Sequence, residues 1–375
     1  MNRQEAINDA LGRLYGVGLR IKLAPILPDF AAHGPMAAEA MSTLGYNDML
    51  AGSVEAYKAK RRHLPMPPEK RRIDANDPQS WSAALGNADR TLDWLLLFEK
   101  ELASQSWQAV LRTWVPRLID GYGGTLTHGL IRAAYAVRSF PGDREPSHLQ
   151  IDELARGLAL WGSSYERVAG DPRETGTDDI AGALADVPRS TRRRTAASIL
   201  KALLAKTLPH KHPADAMRVP DQERFEEAVH ELVPCDDIDR AISRHSAAFC
   251  RFILVHDEVF QIPLIHTVTA PVCMRNLLPY LAEDAVPPMY DRLWQVSASI
   301  VARFGGKHRE DEAMPEVSPS KHSSVQLAAK AVEHGDEHAI KFTEACLRED
   351  AIRPDPVYRV VAAAMLKRLT PLRRH

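Results

Sequence analysis

The sequence predicts an all-α fold built as one large multi-helix domain. Apolar residues recur at helical spacing along most of the chain, and the alternation that is typical of strands is nearly absent. Apolar residues make up 45% of the 375 residues, which is enough to bury a large core. This length is compatible with one large domain or two ordinary ones, and we predict a single domain over residues 1–375.

Charge and cysteine content exclude several classes of function. Forty-eight basic and 49 acidic residues leave a formal net charge of −1, so no global charge favours nucleic acid or an anionic membrane. The four cysteines form no C-x-x-C pair, which argues against a thiolate zinc site, an iron–sulfur cluster or a disulfide framework. No segment approaches the roughly 18 consecutive apolar residues of a membrane span. We expect a soluble, cytoplasmic protein whose partner is a small molecule or another protein.

The first predicted helices lie near the N-terminus. Residues 35–50 predict a short helix that begins at Pro35, a turn near Gly45 and a second helix. His33 therefore lies just ahead of a helix N-terminus. Residues 81–120 follow a proline-rich, charged connection and predict two helices that form part of the core scaffold.

A second histidine is predicted at a helix entrance. Three glycines within residues 121–124 indicate a loop, and Thr127 is a suitable N-cap. His128 then lies in the first turn of a helix that runs to about Phe140.

The rest of the chain predicts further helices around two excursions. Residues 171–194 predict a mobile or surface excursion, and residues 305–324 predict a polar loop. Pro263 and Pro271 bracket His266 and predict an interrupted helix there. The remaining helices are predicted at about 151–170, 194–206, 221–232, 236–255, 325–349 and 354–369.

Fifteen histidines are unusually many for this length, and their contexts differ. Four of them lie in apolar or small-residue settings: His33, His128, His266 and His338. Five others lie among charged, proline or serine residues and are predicted to be exposed: His63, His210, His212, His308 and His322.

The stretch EHGDEHAIKFT at residues 333–343 is unusual. On a continuous helix, His334, His338 and Lys341 would share one face. The pair lacks the glutamate of H-E-x-x-H, so it does not match a zinc-protease pattern. Lys341 is either a solvated helix lysine or a functional one: an amine of lowered pKa, a Schiff base or a carboxylated ligand.

Four segments in order resemble the bacterial branch of the questin oxidase-like family: DFAAHGPMAAEAMSTLG, LTHGLIRAAYAVRSF, PLIHTVTAPVCMRNLLPYL and GDEHAIKFTEACLRE. The similarity extends over about residues 15–365. Because fungal members open or oxygenate anthraquinone-type rings, the resemblance implies an oxygenase that uses O2 on an aromatic substrate. It also implies a non-haem Fe(II) site whose ligands are His33, His128, His266, His338 and a carboxylated Lys341. NADPH has no support, since the sequence lacks a dinucleotide-binding fingerprint.

Two residues are candidate catalytic groups near His128. Arg132, one helical turn further on, is placed to steady a substrate oxyanion or a carboxylate, or to form a surface ion pair. Tyr135 is a candidate for an aromatic wall with Tyr46 and Trp161.

Several alternatives stay open. His334 or His256 could replace one of the four favoured histidines as a ligand. A non-catalytic helical binding or scaffold protein is the main alternative function, and a metal-dependent hydrolase is a weaker one.

Overall fold

The computed structural model describes residues 1–22, 29–189, 216–235, 237–308 and 315–372. Its described residues form sixteen α-helices, a few short 3₁₀ turns and one three-stranded sheet, so the predicted all-α class is confirmed. They fall into two compact units. The first contains the residues up to Arg167 with Ala216 and Asn276–Leu281, and the second contains the other described residues. The helix predicted at 194–206, together with His210 and His212, lies outside the described residues.

The first unit contains eight helices and the small sheet. The helices are α1 Arg3–Leu14, α2 Gly34–Thr43, α3 Leu50–Lys60, α4 Pro78–Ser82, α5 Thr91–Ser104, α6 Trp107–Leu118, α7 His128–Ser139 and α8 His148–Ser163. The strands are β1 Arg20–Lys22, β2 Phe30–Ala31 and β3 Arg62–His63, and both β2 and β3 pair antiparallel with β1. The predicted helices around residues 35–50 and within residues 81–120 are confirmed.

Helices α7 and α8 approach each other at glycine positions. A Cβ atom on Gly129 would lie 2.4 Å from the Cα atom of Trp161, and one on Gly157 would lie 2.7 Å from the Cα atom of Ala133. Both distances are too short for any side chain, so only glycine allows this backbone contact. The contact fixes the start of α7, where His128 lies.

The second unit contains the other eight helices: α9 Ile180–Asp186, α10 Gln222–His230, α11 Ile238–Val255, α12 Gln261–Met274, α13 Val286–Phe304, α14 Ser324–His334, α15 Glu337–Ile352 and α16 Pro356–Arg368. The predicted excursion at 171–194 contains α9 in its described part. The described residues of the predicted loop at 305–324 are non-helical except Ser324, where α14 begins. In the described ranges, no helix combines the length and apolarity that a membrane crossing requires.

The predicted interruption of the helix around His266 is wrong. Pro263 lies in the first turn of α12, where the missing N–H would have no helical partner in any case. Pro271 lies inside α12 and cannot donate to the carbonyl of Thr267. The helix nevertheless continues, because it is buried from Pro263 to Met274 and tertiary packing stabilises it.

The single helix predicted at 325–349 is also wrong. Helix α14 ends at His334, because Gly335 adopts a left-handed conformation with φ of 73°. Asp336 then caps α15, and its Oδ1 atom accepts the N–H groups of His338 and Ala339. His334 and His338 therefore do not share one helix face.

Candidate metal centre

His33 and His128 come together in the first unit. His33 occupies the N-cap position of α2, and its backbone N–H donates to the hydroxyl of Tyr57 over 2.8 Å. His128 is the first residue of α7. The two imidazole rings are stacked, with centroids 4.5 Å apart and planes inclined by 11°. Both predicted positions at helix entrances are confirmed, and both side chains are buried.

The tautomer of His128 follows from its neighbour. Its Nδ1 atom lies 2.6 Å from the carbonyl oxygen of Thr125. Because a carbonyl oxygen only accepts hydrogen bonds, Nδ1 carries a proton, and in the neutral ring the lone pair is on Nε2. Thr125, Leu126 and Thr127 all have positive φ angles, a rare backbone conformation that is concentrated at functional sites. Thr127 occupies the predicted N-cap position, but its hydroxyl donates to the Leu126 carbonyl and does not cap the helix.

His266 and His338 come together in the second unit. Their ring centroids are 6.1 Å apart, with the planes inclined by 74°. The Nδ1 atom of His266 lies 2.7 Å from the carbonyl oxygen of Ile262, which again assigns the proton to Nδ1 and the lone pair to Nε2. Burial lowers the pKa of His266 well below its usual value, and the charges of His338 and Lys341 lower it further. His266 is therefore a neutral imidazole, the form that binds metals.

Asp336 lies beside His338 at the N-cap of the same helix. Its Oδ1 atom lies 3.6 Å from Nδ1 of His338. Burial raises the pKa of Asp336, but the neighbouring His338 and two backbone N–H groups outweigh burial and lower it to about 2. Asp336 is thus anionic at neutral pH, and a carboxylate on Nδ1 is a common partner of a metal-bound histidine. The potential ligand atoms of Asp336, Glu337 and His338 lie within 4.8 Å of one another.

Sequence reasoning missed Asp336. An aspartate between a glycine and an apolar helical segment is an N-cap signal, and it would also have located the break between α14 and α15.

Lys341 is one helical turn beyond His338 and is 3% exposed. The first of the two alternatives for Lys341, a solvated helix lysine, is therefore wrong. Burial lowers its pKa to about 8, an effect that the nearby Glu337, Cys273 and Asp336 partly offset. A lowered pKa increases the fraction of neutral amine near pH 7, and only the neutral amine can react with CO2 to form a carbamate.

Arg132 forms a buried ion pair, so the surface ion pair considered for it is wrong. Its Nε and Nη2 atoms donate to the two carboxylate oxygens of Glu153 over 2.6 and 2.8 Å. Both residues are buried, and the bidentate contact leaves Nη1 without a partner among the described residues. The structure thus pairs Arg132 with a carboxylate, and a catalytic role for Arg132 stays a prediction.

The three aromatic candidates differ in their surroundings. Tyr135 is buried, and the guanidinium of Arg138 lies 4.6 Å from its ring centroid. Trp161 is buried against Gly129, and its indole N–H has no acceptor in the described part of the chain. Tyr46 is half-buried. Their role as an aromatic wall stays a prediction.

The two alternative histidines use both ring nitrogens within the protein. Nε2 of His256 lies 3.4 Å from a guanidinium nitrogen of Arg189, and its Nδ1 lies 3.3 Å from Glu258. Nε2 of His334 lies 3.2 Å from the Leu369 carbonyl, and its Nδ1 accepts the backbone N–H of Asp336 over 3.4 Å. These contacts favour the four original histidines as ligands.

Three histidines that were predicted to be exposed lie in the described ranges. His308 is exposed as expected, whereas His63 and His322 are half-buried. His63 lies on β3, with its ring edge against Tyr57.

A model of the questin oxidase-like family matches residues 54–346, which is more than half of the chain. His128, His266, His338 and Lys341 lie within the matched segment, and His33 precedes it. The chain matches no curated protein.

Proposed function

Because the chain belongs to the questin oxidase-like family, we propose that it is a non-haem iron oxygenase that oxidises or cleaves an aromatic ring with O2. The family points to an oxidoreductase of the oxygenase type that acts on aromatic polyketides. The proposal goes beyond the family in five points: the use of iron, the ligand set, the ring chemistry, a phenolic or quinone substrate, and a cytoplasmic location.

The proposed ligands of Fe(II) are His33, His128, His266, His338 and Lys341. The main support is that the Nδ1 atoms of His128 and His266 lie 2.6 and 2.7 Å from backbone carbonyl oxygens. Metal-binding histidines almost always donate their second N–H in this way, which fixes the ring and leaves Nε2 for the metal. The donor set contains no sulfur, and a carboxylated Lys341 would add the anionic oxygen that four neutral imidazoles lack.

When bound, iron would supply the binding and reduction of O2. The side chains of this protein would hold the ligand atoms in place and keep the site apolar. Neutral His266 needs no deprotonation before it binds a metal. The buried rings of Trp161 and Tyr135 would exclude water from an aromatic substrate, and the indole N–H of Trp161 would donate to a substrate oxygen.

Metal analysis of protein purified without chelators tests the ligand set. We expect about one iron per chain, and we expect His128→Ala and His338→Ala each to lose it while the helical circular dichroism spectrum stays unchanged. His308→Ala, at an exposed loop position, is the matched control and should keep its metal.

Three outcomes would contradict this prediction. Wild-type protein without a transition metal would refute the metal site, and full metal content in both variants would refute the ligand set. Because His128 and His338 belong to different units, a loss of only half the metal from each variant would indicate two separate sites.

Oxygen uptake distinguishes the oxygenase from a binding protein. Metal-loaded protein should consume O2 with at least one member of a panel of phenols and hydroquinones, because an ionised phenol can supply electrons for ring oxygenation. No uptake across the panel would favour a protein that only binds its ligand.

A further inference from the structure

A cavity of about 530 Å³ lies in the second unit, between α14, α16 and the segment that follows α16. None of the proposed iron ligands lines it. Its wall includes Leu327 from α14, Leu366 from α16 and Leu372 from the following segment. The volume falls within the range of about 300–1,000 Å³ that is typical of sites for small organic molecules.

The charged residues of the cavity are mainly basic. Lys330 of α14 and Lys367 of α16 both line it, and neither forms an ion pair with a carboxylate in the described ranges. The Nζ atom of Lys330 lies 3.1 Å from Nε2 of His322. Because an ammonium group only donates, Nε2 of His322 accepts, and the contact holds the lysine at the cavity. Glu333 is the one carboxylate among the lining residues, so the lining keeps an excess of positive charge.

The described lining residues thus include two lysines and one carboxylate. Charge complementarity therefore favours an anion over a cation as the occupant. The leucine wall requires in addition that the occupant carries an apolar body.

We propose that this cavity is a second binding site, which takes a small organic acid with an apolar ring system and one carboxylate. The rings pack against Leu327, Leu366 and Leu372, and the carboxylate accepts hydrogen bonds from Lys330 and Lys367. Two lysines that form no ion pair with a carboxylate in the described ranges, set beside an apolar wall, are the features that select this class of molecule. The site does not depend on the proposed iron ligands.

Isothermal titration calorimetry with full-length protein tests this site. The probe is 1-naphthoate, and the neutral comparison is 1-naphthylmethanol, which has the same ring system without the charge. We expect 1-naphthoate to bind, and we expect the alcohol to bind at least about tenfold more weakly. Lys330→Gln and Lys367→Gln should each lower the affinity for 1-naphthoate by about three- to tenfold and leave the affinity for the alcohol unchanged.

Three further variants locate the bound probe. Ala363→Phe fills the cavity and should abolish binding, whereas Lys100→Gln, at an exposed position in the first unit, should leave it unchanged. His338→Ala should also keep the affinity for 1-naphthoate, because His338 does not line the cavity.

Each opposite result overturns the proposal. No binding of 1-naphthoate at millimolar concentration refutes the site, and equal affinity for the alcohol refutes the role of the lysines. Unchanged affinity in Ala363→Phe places the probe elsewhere, and lost affinity in His338→Ala assigns it to the iron site. The last result leaves the proposed oxygenase untouched, so the two proposals fail separately.

Discussion

Arg132→Met is expected to destabilise the folded protein by about 3–5 kcal/mol, because it leaves the buried carboxylate of Glu153 without its counter-charge. Both carboxylate oxygens of Glu153 accept from Arg132, and both residues are buried. The free energy of unfolding from urea titration, followed by circular dichroism, measures the effect.

The double variant Arg132→Met/Glu153→Met is the matched control. It removes both charges, and it should recover most of the lost stability, since an apolar pair often replaces a buried ion pair at little cost. A single variant as stable as wild type would show that the ion pair does not support the fold. If the double variant folds and keeps full oxygen uptake, Arg132 has a structural role and is not a catalytic residue.

The free energy of unfolding of the wild-type protein is expected to fall by about 4 kcal/mol between pH 5 and pH 8 because of Glu174, and Glu174→Gln is expected to abolish this decrease. Glu174 is 7% exposed, and burial, reinforced by the charge of Asp291, raises its pKa to about 9 from an ordinary value of 4.5. In that window the folded protein keeps the proton and the unfolded chain does not. Unfolding therefore releases a proton, and stability falls as the pH rises. Glutamine cannot ionise, so the variant should lose this slope.

Urea titrations of the two proteins at pH 5 and pH 8 test this expectation. The stability advantage of Glu174→Gln should be small at pH 5 and should grow by about 4 kcal/mol at pH 8. Burial also raises the pKa of Asp291, to about 6, but this group is present in both proteins and largely cancels in the comparison. Glu227→Gln, at an exposed position of α10, is the matched control and should follow wild type. A parallel pH dependence in Glu174→Gln and wild type would refute the raised pKa.

Local signals in the sequence predicted the all-α class and most helix starts. Pro35 and the glycines before His128 act within one or two turns of the chain, so their effects can be read without the fold. They placed His33 and His128 at helix entrances, as the structure does. The break at Gly335 and Asp336 is a local signal of the same kind, and the helical pattern on both sides of it obscured it.

Other features depend on residues that are distant in the sequence. Helix α12 continues through Pro271 because it is buried from Pro263 to Met274 and is stabilised by tertiary packing. The burial of Arg132 depends on Glu153, which α8 brings to α7. Neither the packing around Pro271 nor the partner of Arg132 can be identified from the neighbouring residues in the sequence.

By itself, the sequence determined the helical class, the helix entrances at His33 and His128, and the set of histidines to consider. Only the tertiary structure decided that His33 stacks on His128, that His266 lies beside His338, and which ring nitrogen of His128 and His266 carries the proton. The physical reason is the separation along the sequence over which each interaction acts. Caps and turns act over a few residues, whereas the pairing and burial of side chains depend on how distant helices pack.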